Sequence, residues 1–313
     1  MEKVLETVSI HAVRNATTPV AKNACSQWCA PAALQLWHLA SLDAPTVAVV
    51  WTLAFAWVCR VRLPLWTLVA LSLTVWAIYI GDRLFDAQRA ISANQLSGMR
   101  ERHFFHWRFR RILAPLAVCA AITAACVVFA RMPAAIFARD SVVAAAALLY
   151  FRGVHLRSGG PREHGVLSRI LSSIRTRFAT RFPLKELLVG ILFTAGCALP
   201  AWNRSQMPSL ILALPVAIFA ALAWLDCYAI DRWESESDRS RVAQLACLLC
   251  LVGTSIAFMV ILHQPRIAAL LVAAAASALL LALLDRMRNR ITALTLRAAV
   301  DLALLTPLAL LLR

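Results

Sequence analysis

Residues 267–284 have the sequence IAALLVAAAASALLLALL, a run without a single charged side chain. A helix needs about 20 predominantly apolar residues to cross the hydrocarbon core of a bilayer. The whole chain shares this character, since 61% of its 313 residues are hydrophobic and only 15% are charged. Soluble domains usually contain about 45–50% apolar and about 25% charged residues. The composition therefore excludes an ordinary soluble domain and predicts an all-α membrane protein.

Further apolar runs lie along the chain, each ending near charged residues. With the first one, they cover residues 44–59, 63–80, 112–130, 133–151, 187–202, 209–230, 242–262, 267–284 and 298–312. The fourth run contains Arg139 and Asp140, which we expect near an interface or facing the bundle interior. We predict a polytopic bundle of nine transmembrane helices over residues 41–313, preceded at residues 1–40 by a tail and an interfacial helix.

Basic residues are distributed unevenly between the connections. The N-terminal segment and the connections after the even-numbered runs carry 25 of the 32 Lys and Arg residues, and the connections after the odd-numbered runs carry 5. Basic loops are retained on the cytoplasmic side of membranes. The distribution predicts a cytoplasmic N-terminus in a multi-pass protein of the bacterial cell (inner) membrane. We interpret the net charge of +16 as basic loops retained on the cytoplasmic side and not as a nucleic-acid surface. The basic loop from Arg152 to Lys185 should attract anionic lipids.

Acidic residues concentrate after the second and sixth runs. Asp82 and Asp86 have the i,i+4 spacing that places two carboxylates on one helix face. Asp231, Glu234 and Asp238 fall within about 60° of one another on a helix of 3.6 residues per turn. Both clusters follow even-numbered runs, so they lie at the same membrane surface and are able to face one another.

Two acidic clusters at one membrane surface favour a cation site for a diphosphate. Mg²⁺ prefers carboxylate oxygens and commonly bridges them to phosphate oxygens. Five basic residues near these clusters are candidates for binding the diphosphate itself: Arg83, Arg89, Arg181, Lys185 and Arg232. The alternative is that both clusters are ordinary solvated ends of membrane helices.

The motifs and their order resemble the UbiA-type intramembrane prenyltransferases. Asp82-Arg83-Leu84-Phe85-Asp86-Ala87 is similar to the second half of the family's first aspartate-rich motif, and Tyr228-Ala229-Ile230-Asp231-Arg232 is similar to its second acidic motif. A basic residue opening the fifth helix, a glycine and a later proline are also similar to Lys185, Gly190 and Pro200. Ile78 and Tyr79 stand where the first motif has Asn and Asp.

The resemblance implies transfer of a prenyl group from a Mg²⁺-bound prenyl diphosphate to an aromatic or other lipophilic acceptor. It implies that Asp82, Asp86, Asp231 and Lys185 are catalytic, and that the metal is held by Asp82, Asp86, Asp231, Glu234 and Asp238. Tyr79 and Tyr228 either line the pocket and stabilise a cation through their rings or anchor the helices at the interface. Two alternatives remain: a UbiA-like terpene cyclase, and a non-catalytic protein that binds prenyl lipids.

Two further features carry expectations of their own. Asp301 lies inside the last run, where a carboxylate normally needs a partner, and Arg297 is one helical turn earlier. We expect these two to form a structural pair. His103 and His106 lie in an aromatic and basic segment that favours a helix in the headgroup layer, with a lid over the site as the alternative.

Overall fold

The computed structural model describes residues 30–92, 101–134, 136–138, 140–142, 145–146, 149, 184–234 and 241–312. Its helices are α1 (Ala32–Leu39), α2 (Asp43–Cys59), α3 (Leu65–Ser92), α4 (Glu101–Arg108), α5 (Arg110–Arg131), α6 (Leu184–Trp202), α7 (Ser209–Glu234), α8 (Val242–Val260), α9 (Pro265–Met287), α10 (Ala293–Ala303) and α11 (Leu308–Leu311). The described residues between 134 and 149 are helical as well. Within the described part of the chain the predicted all-α class is confirmed.

The length and composition of the helices agree with a membrane protein. In the described residues, α3, α5, α7, α8 and α9 are long and apolar enough to cross a bilayer. The pair α1 and α2 becomes a sixth candidate span if its 86° bend is counted as a break within one span. Their apolar residues are in part exposed, as at Ile122 of α5 and Phe258 of α8, because lipid does not favour burying them inside the protein.

The ninth apolar run does not form the single helix that we predicted. The structure ends α10 at Ala303 and resumes helix at Leu308, since Pro307 has no backbone N–H to continue the ladder. The freed carbonyl of Leu304 accepts a hydrogen bond from Trp51 Nε1 at 2.9 Å. Thr306 Oγ1 donates to the carbonyl of Ala273 at 2.7 Å. Side chains of α2 and of the turn itself thus satisfy polar groups that an apolar interior would leave unpaired.

The core lies where α2, α6, α7 and α9 meet. Trp51 of α2 is fully buried and stacks on Phe219 of α7 with ring centroids 3.8 Å apart. Phe55 and Phe193 lie around the same ring of α7, with centroids about 6 Å from it. Aromatic pairs of this kind bury large apolar surfaces and fix the rotation of one helix against another.

The helices α6 and α7 approach closely at Gly190. A Cβ atom on Gly190 would lie 2.8 Å from the backbone nitrogen of Trp224 and 3.0 Å from its Cα. Backbone atoms cannot move aside as a flexible side chain can. Gly196, about 1.7 turns further along α6, is different, because a Cβ there would lie 3.9 Å from Leu71 Cδ1.

We expect Gly190→Ala to destabilise the fold by about 1–3 kcal/mol, because the two helices must separate to admit the methyl group. Gly196→Ala is the matched control on the same helix and should be neutral or stabilising by up to about 1 kcal/mol, since Ala has the higher helix propensity. Thermal unfolding of the purified variants in detergent compares the two. Equal midpoints would contradict the tight contact.

Candidate functional site

The bend between α1 and α2 brings polar groups into the bundle interior. Ser41 lies between the two helices with φ of 57°, in the left-handed region that few non-glycine residues adopt. His38, Ser41 and Asp43 follow one another around the bend, and each is at most 2% exposed. Asp43 is the first residue of α2, where the helix dipole favours a negative charge, and its Oδ1 accepts from the backbone N–H of Ala44 at 2.9 Å.

Arg83 of α3 binds the residues of the bend between α1 and α2. Its Nη1 donates to the carbonyl of His38 at 3.0 Å and to Ser41 Oγ at 2.7 Å, and its Nη2 lies 3.5 Å from Asp43 Oδ2. Trp76, two turns earlier on α3, donates its indole N–H to the carbonyl of Ala40 at 3.0 Å. The carbonyls released by the bend therefore find donors on α3, as an apolar interior requires.

His38 joins the bend to α10. Its Nδ1 lies 2.6 Å from Asp43 Oδ2 and 3.2 Å from Asp301 Oδ2. Our prediction that Asp301 pairs with Arg297 is wrong, because the Arg297 guanidinium forms an ion pair with Glu234 of α7. Although Arg297 and Asp301 are one turn apart on the same helix, side chains on other helices provide their partners.

His106 of α4 also belongs to this network. It is fully buried, and its Nε2 lies 3.2 Å from Ser41 Oγ. The ring of His106 therefore contacts the bend, while the position of this segment in the headgroup layer or as a lid stays a prediction. The side chain of His103 lies outside the described residues.

A small cavity adjoins the network. Its lining includes Tyr79 of α3, Gly190 of α6, Asp226 of α7 and Asp301 of α10. The volume is about 20 Å³, which is room for about one water molecule. Asp226 is 8% exposed, and its Oδ1 has no hydrogen-bond partner among the described residues.

The carboxylates predicted to hold Mg²⁺ lie in the second half of α3 and in the last turns of α7. Asp82 and Asp86 are half-buried on α3, and Asp231 is exposed on the last turns of α7. Glu234 is held by Arg297. Asp238 lies outside the described residues.

The predicted diphosphate-binding residues occupy different environments. Arg83 is bound within the interior network, whereas Arg89 is half-buried near the end of α3. The Arg232 guanidinium lies 5.2 Å from the ring centroid of Tyr228, and that ring stacks on Trp224 at 5.6 Å. Arg181 and the side chain of Lys185 lie outside the described residues.

His38, Asp43 and Asp301 are the described residues that gather as potential metal ligands, with one ligand atom from each lying within 4.8 Å of the others. Asp82, Asp86, Asp231 and Glu234 form no such group in the described part of the chain. Mg²⁺ is commonly held by one or two carboxylates together with substrate phosphates. The pair Asp82 and Asp86 therefore fits one Mg²⁺ by its donor chemistry, and Glu234 does not fit because Arg297 already engages its carboxylate.

Sequence reasoning missed most of the interior network. An ionisable residue within an apolar run signals a functional position in membrane proteins, and Asp226 in the run 209–230 carried that signal. Asp43 directly precedes the first run and resembles an ordinary helix boundary. Nothing local in the sequence indicates that His38 meets Asp301, which is 263 residues away.

Comparison of the chain with family models, with curated proteins and with solved structures gives no match.

Replacing Arg83 by Met should destabilise the protein by about 3–5 kcal/mol, because the buried charge of Asp43 then loses its compensation. The double variant Arg83→Met, Asp43→Asn should be less destabilised than the sum of the two single variants. Unfolding midpoints in detergent measure this cycle, with the exposed Arg108→Met as the control for loss of one positive charge. Additive effects of the two substitutions would disprove the coupling.

Proposed function

We propose that the protein is a UbiA-like membrane prenyltransferase that moves a prenyl group from a Mg²⁺-bound prenyl diphosphate to an aromatic or other lipophilic acceptor. The observation that carries this proposal is the shared cavity of the two helices with acidic segments. Tyr79 of α3 and Asp226 of α7 line one cavity. Asp82 follows Tyr79 by three residues and Asp231 follows Asp226 by five, so both segments start within about two helical turns of a common point.

The proposed topology has nine spans with a cytoplasmic N-terminus in the inner membrane. It rests on the apolar runs and on the charge distribution, with 25 of 32 basic residues on the side of the acidic segments. In this arrangement α1 and α2 form a broken first span, and α10 and α11 form a broken last span. Prenyl diphosphates carry their charge at the membrane surface and their chain in the lipid, which matches acidic and basic residues at the end of an apolar bundle.

Asp82 and Asp86 would hold the Mg²⁺, and the ion would supply positive charge to the leaving diphosphate. Asp231 of α7 would add a third carboxylate to this acidic surface. Arg89 and Arg232, with Arg181 and Lys185, would bind the diphosphate oxygens and offset the charge that develops on them as the bond to the prenyl carbon breaks.

Two interior residues prepare this site without contacting the diphosphate. Arg83 acts as a positioning residue, because its bonds to the α1–α2 bend fix the rotation of α3 and hence the direction of Asp82. Tyr79 lines the cavity, where its ring would stabilise an allylic cation and the surrounding side chains would exclude water. Because the cavity holds about one water molecule, α3 and α7 must move apart to admit a prenyl chain.

A non-catalytic prenyl-lipid-binding protein is the second candidate. The pairing of Glu234 with Arg297 favours it, since one carboxylate of the second acidic segment is already neutralised within the protein. Ile78 and Tyr79, which replace two polar positions of the family motif, favour it as well. Such a protein would bind the diphosphate through its basic residues and release no product.

The experiment measures diphosphate release from geranyl, farnesyl and geranylgeranyl diphosphates by the purified protein, with Mg²⁺ or with chelator, in the presence and in the absence of aromatic acceptors. For a prenyltransferase, release depends on the acceptor. We expect Mg²⁺-dependent release that falls about 100-fold or more in Asp82→Asn, because an interaction with developing charge is lost. Asp140→Asn is the matched control, since Asp140 pairs with Asn203 at 2.8 Å, away from the acidic segments. Diphosphate release by this control variant should equal that by the wild type.

The other results separate the candidates. Equal release by Asp82→Asn and the wild type would remove Asp82 from the site. Binding of the diphosphates without release at any chain length would establish the non-catalytic alternative. Mg²⁺-dependent release without any acceptor, accompanied by a cyclic product, would instead establish a terpene cyclase.

A further inference from the structure

The interior network carries an excess of negative charge. Three carboxylates belong to it or to its cavity, namely Asp43 and Asp226, which are buried, and Asp301, which is mostly buried. Arg83 is the permanent cation of the network and contacts Asp43. With His38 neutral, these four ionised groups sum to two negative charges. Buried charges are retained when they are paired or when they coordinate metal ions. One divalent cation would neutralise the group.

The geometry of three side chains suits such an ion. His38 Nδ1, Asp43 Oδ2 and Asp301 Oδ2 converge, with the two carboxylate oxygens 2.6 and 3.2 Å from the nitrogen. Ligand atoms around a tetrahedral metal ion with bonds of about 2.0–2.2 Å are separated by about 3.3–3.6 Å. The distance of 3.2 Å to Asp301 Oδ2 is close to this, whereas Asp43 Oδ2, at 2.6 Å, must move away from His38 Nδ1 by about 0.7–1 Å to admit the ion. Small side-chain rotations would therefore place all three atoms at bonding distance.

Asp226 provides a second, independent indication of a ligand. Its carboxylate lines the cavity beside Asp301, it is more than nine-tenths buried, and Oδ1 has no hydrogen-bond partner among the described residues. A buried carboxylate oxygen without a donor costs free energy unless something occupies the space that it faces. The adjoining cavity of about 20 Å³, which Asp226 and Asp301 both line, has room for one water ligand of such an ion.

We infer that His38, Asp43 and Asp301 form a binding site for a divalent transition-metal ion, with Asp226 facing it from the cavity. The mixed set of imidazole nitrogen and carboxylate oxygens selects ions such as Zn²⁺, Fe²⁺ or Mn²⁺ over Mg²⁺ and Ca²⁺, which prefer oxygen alone. Arg83 would orient the metal-bound carboxylate of Asp43 from behind, as partners of metal ligands commonly do. This site uses other residues than the Mg²⁺ site proposed above, so each stands or fails separately.

The test measures Zn²⁺ binding by the full-length protein in lipid nanodiscs after treatment with chelator and dialysis. Isothermal titration with a competing chelator gives the affinity, and elemental analysis gives the stoichiometry. We expect one tightly bound Zn²⁺ per chain and a rise in the unfolding midpoint on binding. Asp301→Asn and His38→Gln should lower the affinity at least tenfold and abolish the rise in midpoint.

Two further variants keep the test decisive if those two fail to fold. Asp226→Asn replaces by a neutral amide a carboxylate whose Oδ1 has no hydrogen-bond partner among the described residues, so it should fold and bind Zn²⁺ several-fold more weakly. Asp285→Asn is the matched control, because that carboxylate accepts hydrogen bonds from Trp233 Nε1 and Ala243 N outside the network, and its Zn²⁺ affinity should equal that of the wild type. Replacing Cys119 and Cys126, which are exposed, by Ser should also leave the tight site intact.

The inference is overturned if the wild type retains no stoichiometric Zn²⁺. It is also overturned if Asp226→Asn and Asp301→Asn bind Zn²⁺ as tightly as Asp285→Asn does. In either case the network is an ion-pair cluster that is neutralised by protons.

Discussion

The hydrogen bonds from Arg83 to the bend between α1 and α2 set the arrangement of the rest of the structure. An apolar bundle offers no water to the carbonyls that a bent helix releases, so a donor must come from another helix. Arg83 provides it to His38 and Ser41 and also compensates the charge of Asp43. These contacts fix α3 against the bend, and His38 then extends the network to Asp301 of α10.

The same constraint explains why two irregular segments lie side by side. The turn after α10 releases the carbonyl of Leu304, which accepts from Trp51 of α2, and Leu304 also lines the cavity with Asp226. Non-helical backbone in a membrane protein is tolerated where protein buries it or where it borders a cavity. The bend between α1 and α2 and the turn after α10 both meet this condition, and they do so in the same part of the bundle. The concentration of polar groups there is therefore a consequence of helix geometry as well as a candidate for function.

The sequence predicts the helices of this fold far better than their contacts. Apolar runs located α2, α3 and α5 to within a few residues at most ends, because the cost of exposing charge to lipid is a local property. α3 continues through Asp82 and Asp86 to Ser92 as the i,i+4 reading requires. Pairing depends instead on tertiary packing. Arg297 and Asp301 have opposite charges and lie one helical turn apart, as an ion pair within a helix requires. Each nevertheless contacts a side chain on another helix.

Asp82 and Arg83 are consecutive on α3, so their side chains leave the helix about 100° apart. Arg83 is directed into the network by three buried acceptors, and Asp82 is thereby held half-buried near the surface of the same turn. Rotation of α3 that would turn Asp82 inward must break the bonds of Arg83 to the bend, whose loss leaves buried acceptors unpaired. A ligand at Asp82 and Asp86 is thus coupled to the interior network through one helical turn. Binding that requires α3 to move must supply the free energy of those bonds, whereas binding to α3 as it stands keeps them.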